Sequence, residues 1–446
     1  MTKNALTLDY RSGCQGEVFL PGSKSIANRA LLLSALAEGT TVLENMLDSN
    51  DTQHMRAALR ALGIEVIDRV STQEGGARTE TVVVGGGGLF NAPTTSNEQP
   101  LALFLGNAGT AMRPLTAALA ASQGEFLLHG EPRMHERPIG PLIDALRQLG
   151  AEIDYPEQDG YPPLQIHGRA LTGGQVRIDG SLSSQFISAL LMVLPLLPQR
   201  SEVVLTGTIV SAPYIALTVA MMRHFGAQVE WPEPHRFVIA GGQVYRSPQQ
   251  YWIEGDASSA SYFLAAAAIA GGTITVHGVG TESLQGDKEF AKVLAQMGAE
   301  VDYQPRSIAV SRGVQPLRGG DFDLNEIPDA AMTIATTALF AKGPTAIRNI
   351  YNWRLKETDR LHAMATELQK VGAEITELED AIIITPPLEI QHAEIATYDD
   401  HRMAMCFALL AFTPAGVTIL DPDCCRKTYP HFFQDFLALC RLPQNP

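Results

Sequence analysis

Apolar and polar positions alternate along the chain in a pattern that returns five times: an amphipathic helix, a glycine stop, then a short strand. The segment ALRALGIEVID around Gly63 reappears as ALRQLGAEIDY at Gly150, MMRHFGAQVEW at Gly226, VLAQMGAEVDY at Gly298 and LQKVGAEITEL at Gly372. Successive glycines are 87, 76, 72 and 74 residues apart, and a sixth apolar helix at Phe432–Cys440 arrives about one period later. A second pattern is interleaved with it: an Ala/Leu-rich helix, a short loop and a β-branched strand, as in NRALLLSALAEGTTVLEN and SASYFLAAAAIAGGTITVHG. These helices are apolar nearly all round, which predicts burial beneath sheets. Six copies of an α/β unit follow, dividing into two domains of three about a midpoint near Tyr251–Asp256.

Composition changes this picture in one respect. The 446 residues carry 33 Lys and Arg against 48 Asp and Glu, a formal net charge of −15. Long-range repulsion then disfavours nucleic acid and anionic membranes as partners, so an anionic ligand has to be met by local cation clusters. Five cysteines form no C-x-x-C pair or metal-ligand array, and the apolar stretches are too short for a spanning helix. A soluble, cytoplasmic, monomeric protein is expected.

Polar and ionic residues gather just before or within the first turn of the predicted helices. Ahead of the buried helices stand Lys24, Ser25 and Arg29; Asn107, Gly109 and Thr110; Ser183, Ser184 and Gln185; Asp256 and Ser258; Asp329; and His401 and Arg402. Ahead of the amphipathic helices stand Asp51; Arg133; Ser211 and Tyr214; Asp287; Lys356, Glu357 and Arg360; and Lys427. Ser, Asp and Asn there are ordinary caps. Lys24, Arg133, Arg402 and Lys427 oppose the helix dipole, and four such placements point to anion binding. Gly85–Gly88 lacks the ending of a nucleotide cradle and is read as a loop.

The stretches PGSKSIANRALLLSAL, LGNAGTAMRPL, GEPRMHERPIGPL, DGSLSSQF, EGDASSASYFLAAAAI, IPDAAMTIA, IYNWRLKETDRL, YDDHRMAMC and RKTYPHFF resemble the 5-enolpyruvylshikimate-3-phosphate (EPSP) synthase family of enolpyruvyl transferases, in order from Gly16 to Phe436. That resemblance implies an inverse α/β barrel fold: two similar domains, each of three βαβαββ repeats with helices inside and sheets outside. Residues 23–253 would form one domain and 1–22 plus 254–446 the other, with the active site in the cleft between them.

It further implies transfer of the enolpyruvyl group of phosphoenolpyruvate to the 5-hydroxyl of shikimate 3-phosphate, by addition and elimination without metal or organic cofactor. Shikimate 3-phosphate would be held by Lys24, Ser25, Arg29, Ser183, Ser184, Gln185, Ser211, Tyr214, Asp329, Asn352 and Lys356. Phosphoenolpyruvate would be held by Lys24, Asn107, Gly109, Arg133, Gln185, Glu357, Arg360, His401, Arg402 and Lys427, a pocket that glyphosate would also occupy. Asp329, Glu357 and Lys24 would move the protons.

Asp400 in YDDHR is a departure expected to weaken Arg402, and Arg78–Pro100 reads as a long surface loop. A ligand that touches both the third and the fifth repeat requires the two halves to meet, so binding of shikimate 3-phosphate is expected to close them. The sister activity, enolpyruvyl transfer to UDP-N-acetylglucosamine, is marked by a cysteine in the loop equivalent to Gly130–Gly140, which has none here; a catalytically dead anion-binding homologue would not need Asp329 and Glu357.

Overall fold

In each repeat a buried helix and an amphipathic helix are threaded between strands of one small mixed sheet. The structure, a computed structural model, describes residues 4–73, 76–91 and 99–442, with backbone alone at 71–73 and 76–78. The chain divides into an inserted unit, Gly22–Ile253, and a terminal unit that holds both chain ends, Met1–Pro21 with Glu254–Pro446.

The third repeat of the inserted unit displays the order βαβαββ: strand Gln175–Asp179, helix Ser184–Val193, strand Ser201–Thr206, helix Ala212–His224, and strands Val229–Glu233 and Arg236–Ile239. Gln175–Asp179 pairs in parallel with Ser201–Thr206, which pairs antiparallel with Arg236–Ile239, itself antiparallel to Val229–Glu233. Four of the other five repeats have the same ladder. The first repeat draws its parallel strand, Gln250–Trp252, from the far end of the unit. In the terminal unit, Gly16–Phe19 supplies the parallel strand beside Thr273–His277. Ala5–Leu8 lies antiparallel on Val417–Leu420 in the sixth repeat, where the described sheet has three strands. Among the described residues the sheets are separate ladders, so no hydrogen-bonded barrel closes.

The apolar-all-round helices are the interior. All twelve residues of Gly109–Ala120 and all seven of His401–Phe407 are buried, as are thirteen of the fourteen in Ala257–Ala270. Strands alternate, as Gln175–Asp179 does, with one face on these helices and the other in water. The amphipathic helices end where the sequence places glycine, because the chain there turns into the left-handed region: φ is +86° at Gly63, +93° at Gly150, +88° at Gly226, +111° at Gly298 and +97° at Gly372. A Cβ would strain all five.

Polar cross-links fix how the interior helices lie. In the inserted unit Asn28 donates to Thr110 (2.7 Å) and Arg29 to Ser188 (3.3 Å). In the terminal unit Ser261 and Thr333 share a 2.7 Å hydrogen bond, and Thr333 lies 3.6 Å from the Cys406 thiol. Every one of these residues sits in the first two turns of its helix. Linking equivalent positions places three helix N-termini at the same end of each unit, so three positive dipole ends gather there.

Two expectations of the sequence are corrected. Gly85 and Gly86 belong to the strand Gly76–Gly86, paired with Gly39 and Glu38, so the glycine run is half strand. Most of the expected loop Arg78–Pro100 that is described is this same strand, and residues 92–98 lie outside the described residues.

Candidate active site

At the N-terminal end of the interior helices in the inserted unit, Lys24 opens the helix Lys24–Leu36 and its ammonium lies 3.2 Å from Asp51. Asp51 is therefore an ion-pair partner, and the cap of its helix is Ser49, through a capping box with Thr52. One turn on, Arg29 is buried with neutral partners: it donates to Thr218 (2.8 Å), Ser188 and the Ser25 carbonyl (2.9 Å), and its guanidinium stands 5.9 Å from the Tyr214 ring centroid. Burial without a carboxylate pushes its pKa down to about 10. Such a cation gains from an anionic ligand.

Ser183 accepts from the Gln185 N–H at 3.2 Å, and Ser184 is buried in the first turn of the same helix. Ser211 caps Ala212–His224 from a left-handed backbone, φ +53°, a conformation costing about 1–3 kcal/mol that concentrates at functional sites.

The second buried helix of this unit opens at Gly109, flanked by Asn107 and Thr110. A Cβ on Gly109 would stand 2.8 Å from both the Arg113 Nη1 and the Arg137 Nη2, the side-chain atoms nearest to it. Both guanidiniums are buried and anchored, Arg137 on the Asn107 carbonyl (3.0 Å) and Oδ1 (2.8 Å), Arg113 on the Pro138 carbonyl (3.0 Å). Arg133 instead lies in the 3₁₀ turn Pro132–Glu136 and pairs with exposed Glu136 at 2.7 Å. The structure brings Arg113 and Arg137 to Gly109 where the sequence reading had Arg133.

The terminal unit gathers four cations around three carboxylates. Asp329, in the first turn of Pro328–Thr337, accepts from Arg360 (2.9 Å) and Arg402 (3.1 Å) and lies 3.3 Å from the Lys356 ammonium. Burial opposes its ionisation, but Arg402, Lys356 and Arg360 together hold it well below the usual carboxylate range. Glu357 accepts from Arg360 (2.8 Å) with Lys427 at 3.8 Å. Arg360 is almost wholly enclosed, with Asp400 accepting from its Nε at 2.7 Å and its Nη2 at 3.2 Å. Asn352 is buried in the turn Tyr351–Leu355, which Trp353 ties to the Pro328 carbonyl at 2.7 Å.

Three further expectations need adjusting. Asp400 meets Arg402 at the backbone N–H (3.0 Å) and pairs with the Arg360 guanidinium, while the Arg402 guanidinium turns to Tyr262 and Asp329. Lys427 ends the 3₁₀ turn Pro422–Lys427, so the dipole penalty inferred for it and for Arg133 does not arise; Lys24 and Arg402 alone of the four stand in the first turn of an α-helix. Asp287 accepts the N–H of Ala330 at 3.3 Å and so serves a helix other than its own. His401 is fully buried, 3.6 Å from Asp400.

Sequence reasoning missed Arg113 and Arg137, and it named Asp51 and Asp400 without their partners, Lys24 and Arg360. A lone arginine inside an apolar helix was the available signal for Arg113. Nothing in the segment GEPRMHERPIG separates Arg133 from Arg137, because an irregular turn carries no periodicity.

Among the described residues no helix is long and apolar enough to cross a membrane. The family model for EPSP synthase (3-phosphoshikimate 1-carboxyvinyltransferase) matches residues 9–436. The chain is 57% identical to a 3-phosphoshikimate 1-carboxyvinyltransferase of Sulfurovum sp., over 97% of this chain and 98% of that one. It is 57% identical to another of Colwellia psychrerythraea, over 96% and 97%. A solved EPSP synthase from Acinetobacter baumannii superposes with a TM-score of 0.79 at 26% identity, covering 98% of both chains. With repeats, fold and clustered charges in agreement, the chain belongs to the EPSP synthase family, the 3-phosphoshikimate 1-carboxyvinyltransferases.

Proposed function

We propose that the chain transfers the enolpyruvyl group of phosphoenolpyruvate to the 5-hydroxyl of shikimate 3-phosphate, releasing phosphate. The observation that carries this reading is a carboxylate, Asp329, kept ionised among three cations at the start of an apolar helix. Such a group accepts the hydroxyl proton as the 5-oxygen attacks C2 of phosphoenolpyruvate. A proton delivered to C3 turns the methylene into a methyl and gives a tetrahedral intermediate; removal of a methyl proton then expels phosphate and restores the double bond. Glu357 and Lys24 are the groups proposed for the transfers at C3.

Shikimate 3-phosphate takes the Ser183, Ser184, Gln185, Ser211 and Tyr214 set for its phosphate, with Lys24, Ser25 and Arg29 for the ring and carboxylate and Asp329, Asn352 and Lys356 beside the hydroxyls. Phosphoenolpyruvate takes Lys24, Asn107, Gly109, Gln185, Glu357, Arg360, His401, Arg402 and Lys427, and Arg113 and Arg137 replace Arg133, since a buried guanidinium fork suits carboxylate and phosphate. Glyphosate would compete there. The same reading makes the chain a cytoplasmic monomer acting on soluble substrates. UDP-N-acetylglucosamine is disfavoured as acceptor by the absence of a cysteine between Gly130 and Gly140. Phosphate release on mixing the two substrates tests the proposal: release dependent on both supports it, and release with UDP-N-acetylglucosamine in place of shikimate 3-phosphate refutes it.

A further inference from the structure

Two of the five cysteines face each other at the two ends of the chain. Gly13–Cys14 and Cys440–Arg441 form a two-stranded antiparallel ladder in which Cys14 and Cys440 are direct partners. Backbone hydrogen bonds on either side hold this register, from Ser12 N–H to the Arg441 carbonyl and from Gln15 N–H to the Leu439 carbonyl, both 3.0 Å. Directly opposed residues of an antiparallel pair have Cα atoms about 4.5–5.5 Å apart, inside the roughly 4.4–6.8 Å that a disulfide spans. The remaining thiols lack this geometry: Cys406 is sealed in the core against Thr333, and Cys424 and Cys425 are neighbours in one 3₁₀ turn.

We propose that Cys14 and Cys440 are a redox modification site, a reversible disulfide that staples a strand near the start of the chain to its last strand when a low-molecular-weight disulfide such as oxidised glutathione accumulates. Cys440, half-buried in the terminal strand, attacks first, since Cys14 is buried. Its thiolate displaces one glutathione thiolate to give a mixed disulfide. The Cys14 thiolate then attacks the Cys440 sulfur and displaces the second. Two S–H bonds are lost and one S–S bond forms, while the oxidant's S–S bond becomes two thiols that take up the two protons. Burial pushes both thiols up to about 12, so the exchange is slow in the closed ladder and proceeds as the terminal strand frays. The bonds given up are modest, a 3.7 Å contact from Cys14 to the Gly271 carbonyl and a 3.1 Å bond from Cys440 to the Phe436 carbonyl.

The test is to incubate the full-length protein with oxidised glutathione, quench with acid, alkylate, and map the unreduced digest by mass spectrometry. The expected result is one cross-linked species joining the Cys14 and Cys440 peptides, reversed by dithiothreitol, with Cys406 alkylated. Because the cross-link closes nearly the whole chain into a loop, Tm should rise by about 5 °C on oxidation. Cys440→Ser should abolish both the cross-link and the rise while retaining activity when reduced. A stable mixed disulfide at Cys440 with Cys14 still alkylated, or a cross-link through Cys424, would overturn the proposal, and neither outcome depends on a variant folding.

Discussion

Adding one methyl at Gly109 separates the two proposed substrates. The backbone there is outside the left-handed region, so Gly109→Ala carries no conformational strain and gains about 0.4–1 kcal/mol from a stiffer unfolded chain. The new Cβ, however, falls 2.8 Å from a terminal nitrogen of both Arg113 and Arg137. Ordinary contact begins near 3.4 Å, so each guanidinium has to retreat by about 0.6 Å. Neither moves without cost, because Arg137 is held twice by Asn107 and Arg113 by the Pro138 carbonyl. Losing one hydrogen bond to a charged group costs about 1.5–3 kcal/mol, a 10- to 100-fold change in affinity. KM for phosphoenolpyruvate should therefore rise by about 10- to 100-fold, and glyphosate inhibition should weaken at least in parallel. KM for shikimate 3-phosphate should stay within about twofold, since Arg29 and Ser183 lie on other helices. Steady-state kinetics with each substrate varied in turn decide the matter. An unchanged KM for phosphoenolpyruvate, or an equal rise for both substrates, would refute the placement of the pocket between Gly109 and these two arginines.

Asp329→Asn keeps volume and hydrogen bonding but removes the base, so kcat should fall by about 10²-fold with the shikimate 3-phosphate KM little changed; near-normal kcat would remove Asp329 from the mechanism. Asp400→Asn takes a fully buried charge from Arg360 and should destabilise the terminal unit by about 3–5 kcal/mol in urea unfolding, an effect that a shift under 1 kcal/mol would contradict. Because the folded Asp329 pKa is depressed, its stabilisation is present above the unfolded value of about 3.9 and disappears only as pH falls through the folded value, so the acid limb of kcat between about pH 5 and 7 should not steepen or shift when Asp329 is replaced by Asn. His167 is gripped by Glu125 at 2.7 Å and Asp154 at 3.1 Å; burial opposes its charge, the two carboxylates outweigh burial, and its pKa is raised. That contribution is complete below about pH 6.5 and is lost as pH rises through the folded value, so His167→Gln should flatten Tm between about pH 6 and 8, and an identical profile would count against it.

Periodicity made the architecture readable, because a helix buried all round, such as Ala257–Ala270, leaves an apolar run with no polar face, and a left-handed turn leaves a glycine in five of the six repeats. Part of the carboxylate and cation set of the terminal unit was readable for a different reason: Asp329 and Arg402 stand in the first turns of apolar helices, where charge is costly unless it is used. The partners of those groups were not. Asp400 stood out along the chain only as a charge beside Arg402, and its placement against Arg360 is visible only in three dimensions. Lys24 signalled its own presence, yet its pairing with Asp51 joins two helices and has no signature along the chain. Ala5–Leu8 likewise carries nothing that names Val417–Leu420 as its partner.

That last pairing sets the order in which the protein is assembled as it is synthesised. The inserted unit is one unbroken stretch, Gly22–Ile253, and has all its strands once Gln250–Trp252 has left the ribosome. The terminal unit must wait. Ala5–Leu8, the first strand made, stays an open edge until Val417–Leu420 emerges, which at about 5–20 residues per second is roughly 20–80 seconds later. During that interval a finished unit is tethered to a leading segment of exposed backbone donors and acceptors, the kind of edge that recruits chaperones or other nascent chains. A chain stopped short of Val417 keeps that edge permanently, so late truncations should yield a folded inserted unit attached to an aggregation-prone remainder.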